Sequence, residues 1–398
     1  MATWALPENI EDVLPTDAAK LERMRRLALD SFAAHGYELV MPPLLEYVES
    51  LLSGVGHDMD LATFKLVDQL SGRMMGLRAD TTPQVARIDA HVLNRPGVTR
   101  LCYAGSVLHT RPSGLGKSRQ PFQVGAELYG HAGLDADIEI QQLMLDTLAA
   151  LGVRAVRLDI GQPSVFRALA DTARLTAAER EMLFIAVSGK DTATLAAFAS
   201  TPVAEAGVAA ARRAIAALPG WYGLDVDQVI LKARSHLPHA PRITEALDQL
   251  RRVATHFSSQ GLAVSVDLGE LGGFNYESGI AFAAFADGAS EAIARGGRYD
   301  DIGLVFGRAR PATGFSMDLK SLLAIADDAA PHTVRVLAPV APDDDAREAM
   351  RAFRRAGYVV VGGLGGGEHH ELDRDSADIT HVMQRLDGKW QIKAKGSQ

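Results

Sequence analysis

Apolar and charged residues alternate at helical spacing over residues 17–35, with Thr16 placed to cap that helix and Gly36 placed to end it. Residues 37–41 have the β-branched and aromatic texture of a strand, halted by Pro42 and Pro43, and a second helix is expected over 44–52. Residues 64–68 and 73–78 read as two strands of a hairpin turned at Ser71-Gly72. A helix over 82–93 and a strand over 100–104 follow. Two more strand-like runs flank the Gly/Ser/Lys/Arg-rich stretch 111–119, and then come a helix over 135–151 and a strand over 155–160.

From about 162 to 257 the texture becomes Ala-rich and helical, strand signals nearly vanish, and Pro202, Pro219, Pro238 and Pro241 punctuate the run. Strands return at 263–268 and 280–283, and a helix starting near Gly314 is expected to close this part. Residues 327–331 form a linker-like seam. Beyond it, strand, helix and strand signals at 334–339, 343–356 and 358–361, with two further short strands, predict a β-α-β tail. The expected organisation is an α+β body over 1–161 and 258–326, a helical insertion over 162–257, and a small α/β domain over 332–398.

The bulk numbers narrow the function classes. A chain of 398 residues is too long for one ordinary core, so two or three domains are expected. No apolar run is long enough to cross a bilayer, and the start lacks a signal-peptide layout. The single cysteine, Cys102, forbids an internal disulfide and fits a reducing cytoplasm; its apolar neighbours mark it as a buried thiol rather than a nucleophile. A net charge of −8, with its densest basic cluster (Arg23, Arg25, Arg26) interleaved among acids on a helix, argues against a nucleic-acid grip. The glycine run 362–367 lacks a phosphate-loop ending and reads as a flexible loop. His369 and His370 beside it are not spaced to share a metal. No cofactor is implied.

Four segments carry candidate chemistry. Around Asp80 and Thr82, where a strand runs into a helix, a carboxylate and a hydroxyl stand at the helix mouth; both also suit plain capping. Gln123 and Glu127 project to the same strand face as Gly125, leaving room for a small ligand whose ammonium the carboxylate would receive; a solvated sheet face is the alternative. The glycines of 272–279 surround Phe274 and Tyr276 and permit either close ligand approach or a simple turn. Arg295-Gly296-Gly297-Arg298-Tyr299-Asp300, followed by 310–318, supplies a glycine pair that can form a backbone wall.

Taken in order, these segments resemble histidyl-tRNA synthetase over roughly residues 5–325. The resemblance implies a class II aminoacyl-tRNA synthetase-like antiparallel sheet flanked by helices, with 36–46 as a dimer-forming motif. It assigns histidine contacts to Asp80, Thr82, Arg119, Gln123, Glu127 and Tyr276. The pattern departs where catalytic arginines belong: His109, Leu271 and Ser321 stand at those positions. Synthetases meet the developing charge on the α-phosphate with such cations. Losing three charged hydrogen bonds at about 1.5–3 kcal/mol each corresponds to roughly 10³–10⁶ in rate.

An amino-acid pocket without that chemistry is similar to the regulatory subunits of ATP phosphoribosyltransferase, a synthetase-like family of histidine biosynthesis. That resemblance implies a non-catalytic chain that pairs with a short-form catalytic subunit. It also implies self-association as a dimer or tetramer within a hetero-octamer, with histidine as effector. The alternatives are an active histidyl-tRNA synthetase and a free-standing histidine-binding paralogue. The tail of about 70 residues is short for a synthetase anticodon-binding domain.

Overall fold

The computed structural model describes residues 4–52, 57–112, 114, 116–272, 278–327, 334–364 and 379–395. They form two compact units, Met1–Asp327 and Asp328–Gln398.

The first unit carries twelve strands among its described residues: β1 Glu38–Leu39, β2 Leu45–Tyr47, β3 Lys65–Val67, β4 Met74–Leu77, β5 Thr99–Ser106, β6 Phe122–Tyr129, β7 Arg157–Gly161, β8 Tyr222–Gly223, β9 Ala263–Asp267, β10 Ala281–Phe285, β11 Ala294–Arg298 and β12 Ala312–Asp318. Nine of them make one sheet in the order β1-β5-β6-β12-β11-β10-β7-β9-β8, and β2-β4-β3 make a separate small sheet. From β5 to β7 every pairing in the large sheet is antiparallel; only β1 on β5 and β7 on β9 run parallel.

The period-2 rule of strands decides which face does what. On β5 and β6, Cys102, Val124, Ala126 and Leu128 face a core built with the helices Pro15–Ala34 and Leu134–Ala150. Phe32 of the first helix is fully buried there and meets Phe315 of β12 edge-on, ring centroids 5.8 Å apart. The alternate residues Leu101, Tyr103 and Tyr129 face the other side, toward Val85 and Ala86 of the helix Thr82–Arg87. That second face holds the candidate site.

Several expectations hold and several are corrected. The hairpin turned at Gly72, the strand at 100–104 and the helix at 135–151 all form. Thr16 is not the cap: the first helix begins at Pro15, whose missing N–H and fixed φ suit the first helical position. The expected helix at 44–52 is a strand first, β2, and helix only over Val48–Leu51, because Leu45–Tyr47 pair with β4. The strand expected at 37–41 shrinks to two residues on the sheet edge. The helix expected at Gly314 is instead β12, seven residues buried between β6 and β11, and a helix follows only at Leu319–Leu322. Phe315 and Met317 alternate toward the core, a strand signal that the glycine masked.

Between 163 and 258 the chain is helical apart from a short 3-10 turn and the two-residue strand β8. Its apolar faces join the same core as the large sheet. Thr176 and Glu179 make a reciprocal capping box, and Asp191 and Asp225 cap the helices that follow them. Cys102 is buried as expected, its thiol pushed up to about 12 by desolvation.

In the second unit β13 Arg335–Val340, the helix Asp344–Arg355 and β14 Val359–Gly363 form a parallel β-α-β unit. β15 His381–Leu386 and β16 Lys389–Ala394 complete a sheet in the order β14-β13-β15-β16. Val336, Met350, Val360 and Met383 are its core. The histidines at 369 and 370, and most of the glycine run, lie outside the described residues. No helix among the described residues is long and apolar enough to cross a membrane.

Because Phe32 ties the first helix to the floor strand β12, Phe32→Ala is expected to destabilise the chain by about 3–5 kcal/mol. A lowered urea midpoint at unchanged slope is the readout, and a midpoint within error of wild type would contradict this placement.

Candidate functional site

The site begins with a row of residues across the sheet. Leu101 of β5, Glu127 of β6, Gly314 of β12, Gly297 of β11, Ala281 of β10 and Gly161 of β7 are successive register partners and share one face. Small residues on four adjacent strands leave a trough beside the Glu127 carboxylate. A side chain at 314 would fill it: a Cβ there would lie 1.5 Å from Glu127 Oε2. Gly125, one step along β6, leaves space for the Tyr103 ring, whose hydroxyl would sit 2.4 Å from a Cβ at 125.

The result is a cleft of about 360 Å³ whose walls include Asp80, Thr82, Glu127, Glu270, Arg295 and Tyr299. Glu127 is 1% exposed, at the cleft's inner end. Three hydroxyls donate to it: Thr82 to Oε1 at 2.9 Å, Tyr103 to Oε1 at 3.2 Å, and Tyr299 to Oε2 through a short bond. Desolvation outweighs these donors and pushes its carboxyl up to about 8, with the nearby Asp80 charge acting in the same direction. Burial likewise drives the Tyr103 and Tyr299 phenols well above their ordinary range, so both stay protonated donors.

Asp80 is set in place by the chain around it. Gln123 Nε2 donates to Asp80 Oδ1 at 2.7 Å, Gln123 Oε1 accepts from the Thr81 N–H, and the same Asp80 oxygen accepts from the Thr82 N–H. The turn carrying these residues is anchored by Arg78, which donates to the Ser106 and Pro42 carbonyls and occupies the space left by Gly105. Gln123 thus orients Asp80 and borders a neighbouring cleft rather than the first.

The sequence-predicted residues therefore divide. Asp80, Thr82 and Glu127 come together, and Gln123 supports them. Arg119 does not join the wall: it donates to the His109 carbonyl and stacks over Phe64. Tyr276 lies outside the described residues. At the three departure positions, His109 donates from Nε2 to the Ala79 carbonyl, Leu271 is 1% exposed in the apolar core, and Ser321 donates to Asp318. His109 and Ser321 line the neighbouring cleft, of about 520 Å³, with Lys117 and Asp318.

Sequence reasoning missed Tyr103, Tyr299, Glu270 and Arg295. Tyr103 lay in a recognised strand, but its partnership with Gly125 needs the β5–β6 register. Tyr299 stood in a segment already singled out, yet its acceptor is 172 positions away. Arg298 of that segment turns to the other side. It donates to Asp137 and to the His131 and Gly133 carbonyls, pinning β11 to the helix Leu134–Ala150.

Chemically, three acidic side chains and one arginine surround the cleft among the described residues. The excess of acid suits a ligand carrying a positive charge. The folded state holds a proton on Glu127 from the ordinary carboxyl range, near 4.5, up to about 8, where the unfolded chain has lost it. Its stabilising contribution is therefore complete below about 4.5 and lost as pH rises through 8. Glu127→Gln is expected to remove that loss and to melt above wild type at pH 9 by the equivalent of about 3–5 kcal/mol, with little difference at pH 4.5. Parallel pH slopes in thermal melts of the two proteins would show that Glu127 ionises normally.

The fold and this geometry agree with known proteins. Residues 9–322 match the family described as Histidyl-tRNA synthetase, and residues 333–393 match the one described as ATP phosphoribosyltransferase subunit HisZ C-terminal domain. An ATP phosphoribosyltransferase regulatory subunit from Ralstonia nicotianae is 52% identical over 396 residues, covering 99% of each chain. One from Paraburkholderia phytofirmans is 51% identical, covering 99% of this chain and all of its own. Among solved structures, a Bacillus halodurans protein titled ATP phosphoribosyltransferase regulatory subunit/histidyl-tRNA synthetase superposes with a TM-score of 0.80 at 23% identity, covering 96% of this chain and 98% of its own. Histidyl-tRNA synthetase from a Nostoc species gives 0.75 at 16% identity, covering 99% and 97%. Those two likenesses establish the class II synthetase-like fold. The full-length identities and the two matched segments establish more: the chain belongs to the ATP phosphoribosyltransferase regulatory subunit family.

Proposed function

We propose that this chain is a non-catalytic subunit that activates a short-form ATP phosphoribosyltransferase, the first step of histidine biosynthesis, and that free histidine is its feedback effector. One observation carries this. The cleft keeps an acceptor set for an ammonium, Asp80 and the hydroxyl-braced Glu127, while His109, Leu271 and Ser321 occupy the positions that the synthetase resemblance gives to catalytic arginines. That combination supports a chain that binds an amino acid without the fixed cations that its activation needs.

Histidine would be held by Asp80, Thr82 and Glu127, with Gln123 behind Asp80 and Tyr276 at the imidazole. An effector shifts an assembly only by its different affinity for two states, so the cleft must change shape between the activating and the inhibited complex. The segment 36–46 supports self-association. Leu39, Met41, Leu44 and Leu45 expose apolar side chains there, Met41 as much as 78%, and a dimer or tetramer within a hetero-octamer would cover them. The working compartment is the cytoplasm, and neither metal nor cofactor enters the proposal.

Mixing the chain with a short-form catalytic subunit should raise phosphoribosyltransfer, and histidine should then suppress it. Glu127→Ala should weaken that inhibition at least tenfold while co-elution of the two subunits persists. Histidine-dependent exchange of pyrophosphate into ATP at synthetase-like rates would overturn the non-catalytic reading. Unchanged inhibition in Glu127→Ala would move the effector site elsewhere.

A further inference from the structure

The acidic end of the cleft accounts for an ammonium and leaves the rest of an amino acid unmatched. Arg295 is the only cation among the cleft's described walls. It lies on β11 two residues before Gly297, so it shares the floor's face. Its register partner is Ser316 of β12, one step along from Gly314. Glu127 is two strands away, on β6. With strands about 4.8 Å apart and about 3.3 Å of rise per residue, the two backbones stand roughly 10 Å apart across the sheet and about 7 Å along it. Both side chains rise from the same face of the sheet into the cleft.

The guanidinium is weakly held. Its ion-pair partner, Glu270, is 3.9 Å away, and the Arg295 side chain is 59% exposed against 37% for Glu270. Glu270 Oε1 also accepts from the Gly272 N–H, which keeps it at the rim. Arg298, three residues on, is by contrast buried and fully committed to Asp137 and neighbouring carbonyls. The same arginine pattern thus yields one structural pin and one side chain able to turn onto a ligand. A planar guanidinium is suited to gripping a carboxylate through paired N–H donors.

We propose that Arg295 receives the carboxylate of the bound amino acid, so that the cleft selects a free zwitterion over the same molecule with its carboxylate reduced or amidated. The proposal rests on the reading of this cleft as the effector site. It makes Arg295 a specificity residue: Glu127 recognises one end of the ligand, Arg295 the other.

The test is calorimetric titration of the full chain with histidine, histidinol and histidine amide. Wild type should prefer histidine over both analogues by about 10- to 100-fold, the range of a charged hydrogen-bonded contact. Arg295→Ala should abolish the preference by weakening histidine alone, leaving histidinol within about threefold of its wild-type value. Arg295→Lys should restore part of it. A merely structural role would weaken all three ligands together, and that result overturns the proposal. So does a preference that survives in Arg295→Ala. Glu127→Ala separates the two levels. If it leaves histidine binding untouched, the effector-site reading falls and the proposal with it. If it weakens all three ligands while Arg295→Ala keeps the preference, only the role of Arg295 falls.

Discussion

A carboxylate removed from water has to be compensated by its surroundings, and much of this molecule is arranged around that requirement at Glu127. Burial of an isolated charge is costly, and a buried carboxyl responds by holding its proton or by gathering donors. Glu127 does both. The donors come from three distant parts of the chain: the helix mouth at Thr82, β5 at Tyr103 and the end of β11 at Tyr299. Two positions must be empty of side chain for this: a Cβ at Gly125 would strike the Tyr103 hydroxyl, and one at Gly314 the Glu127 carboxyl. The floor glycines and the hydroxyls therefore form one unit, and neither part has an evident purpose without the other.

The scaffold behind that unit is stiff where it needs to be. β6 and β12 lie inside a nine-stranded sheet with helices packed on the opposite face. Arg78 and Arg298 spend their charge inside the protein, fixing the turn before Asp80 and the end of β11. Buried arginines with saturated donors hold geometry rather than bind ligand. A site whose acids are positioned by such pins is preorganised, and little ordering cost falls on the ligand.

Strong local periodicity made much of this legible beforehand. The long helices, the 65–77 hairpin and the β-α-β tail announce themselves through spacing, turn glycines and caps. Failures came where tertiary pairing overrode local appearance. Leu45–Tyr47 became a strand because β4 was there to pair with it, and β12 looked like a helix start because Gly314 concealed the alternation of Phe315 and Met317. The candidate site followed the same division. Asp80, Thr82 and Glu127 could be read from ordered motifs, and Gln123 from strand alternation. Tyr103, Tyr299 and Arg295 could not, because their relevance lies in cross-strand register. Arg119, placed at the site by resemblance, is drawn off by the His109 carbonyl and the face of Phe64.

Leu271 shows what packing alone forbids in this fold. It is packed into the main core with residues such as Trp221, Leu268 and Phe282. An arginine there would bury a guanidinium among apolar side chains, at a cost of several kcal/mol. Packing therefore closes position 271 to a cation: the residue that completes this part of the core is also the one that bars a charge from it.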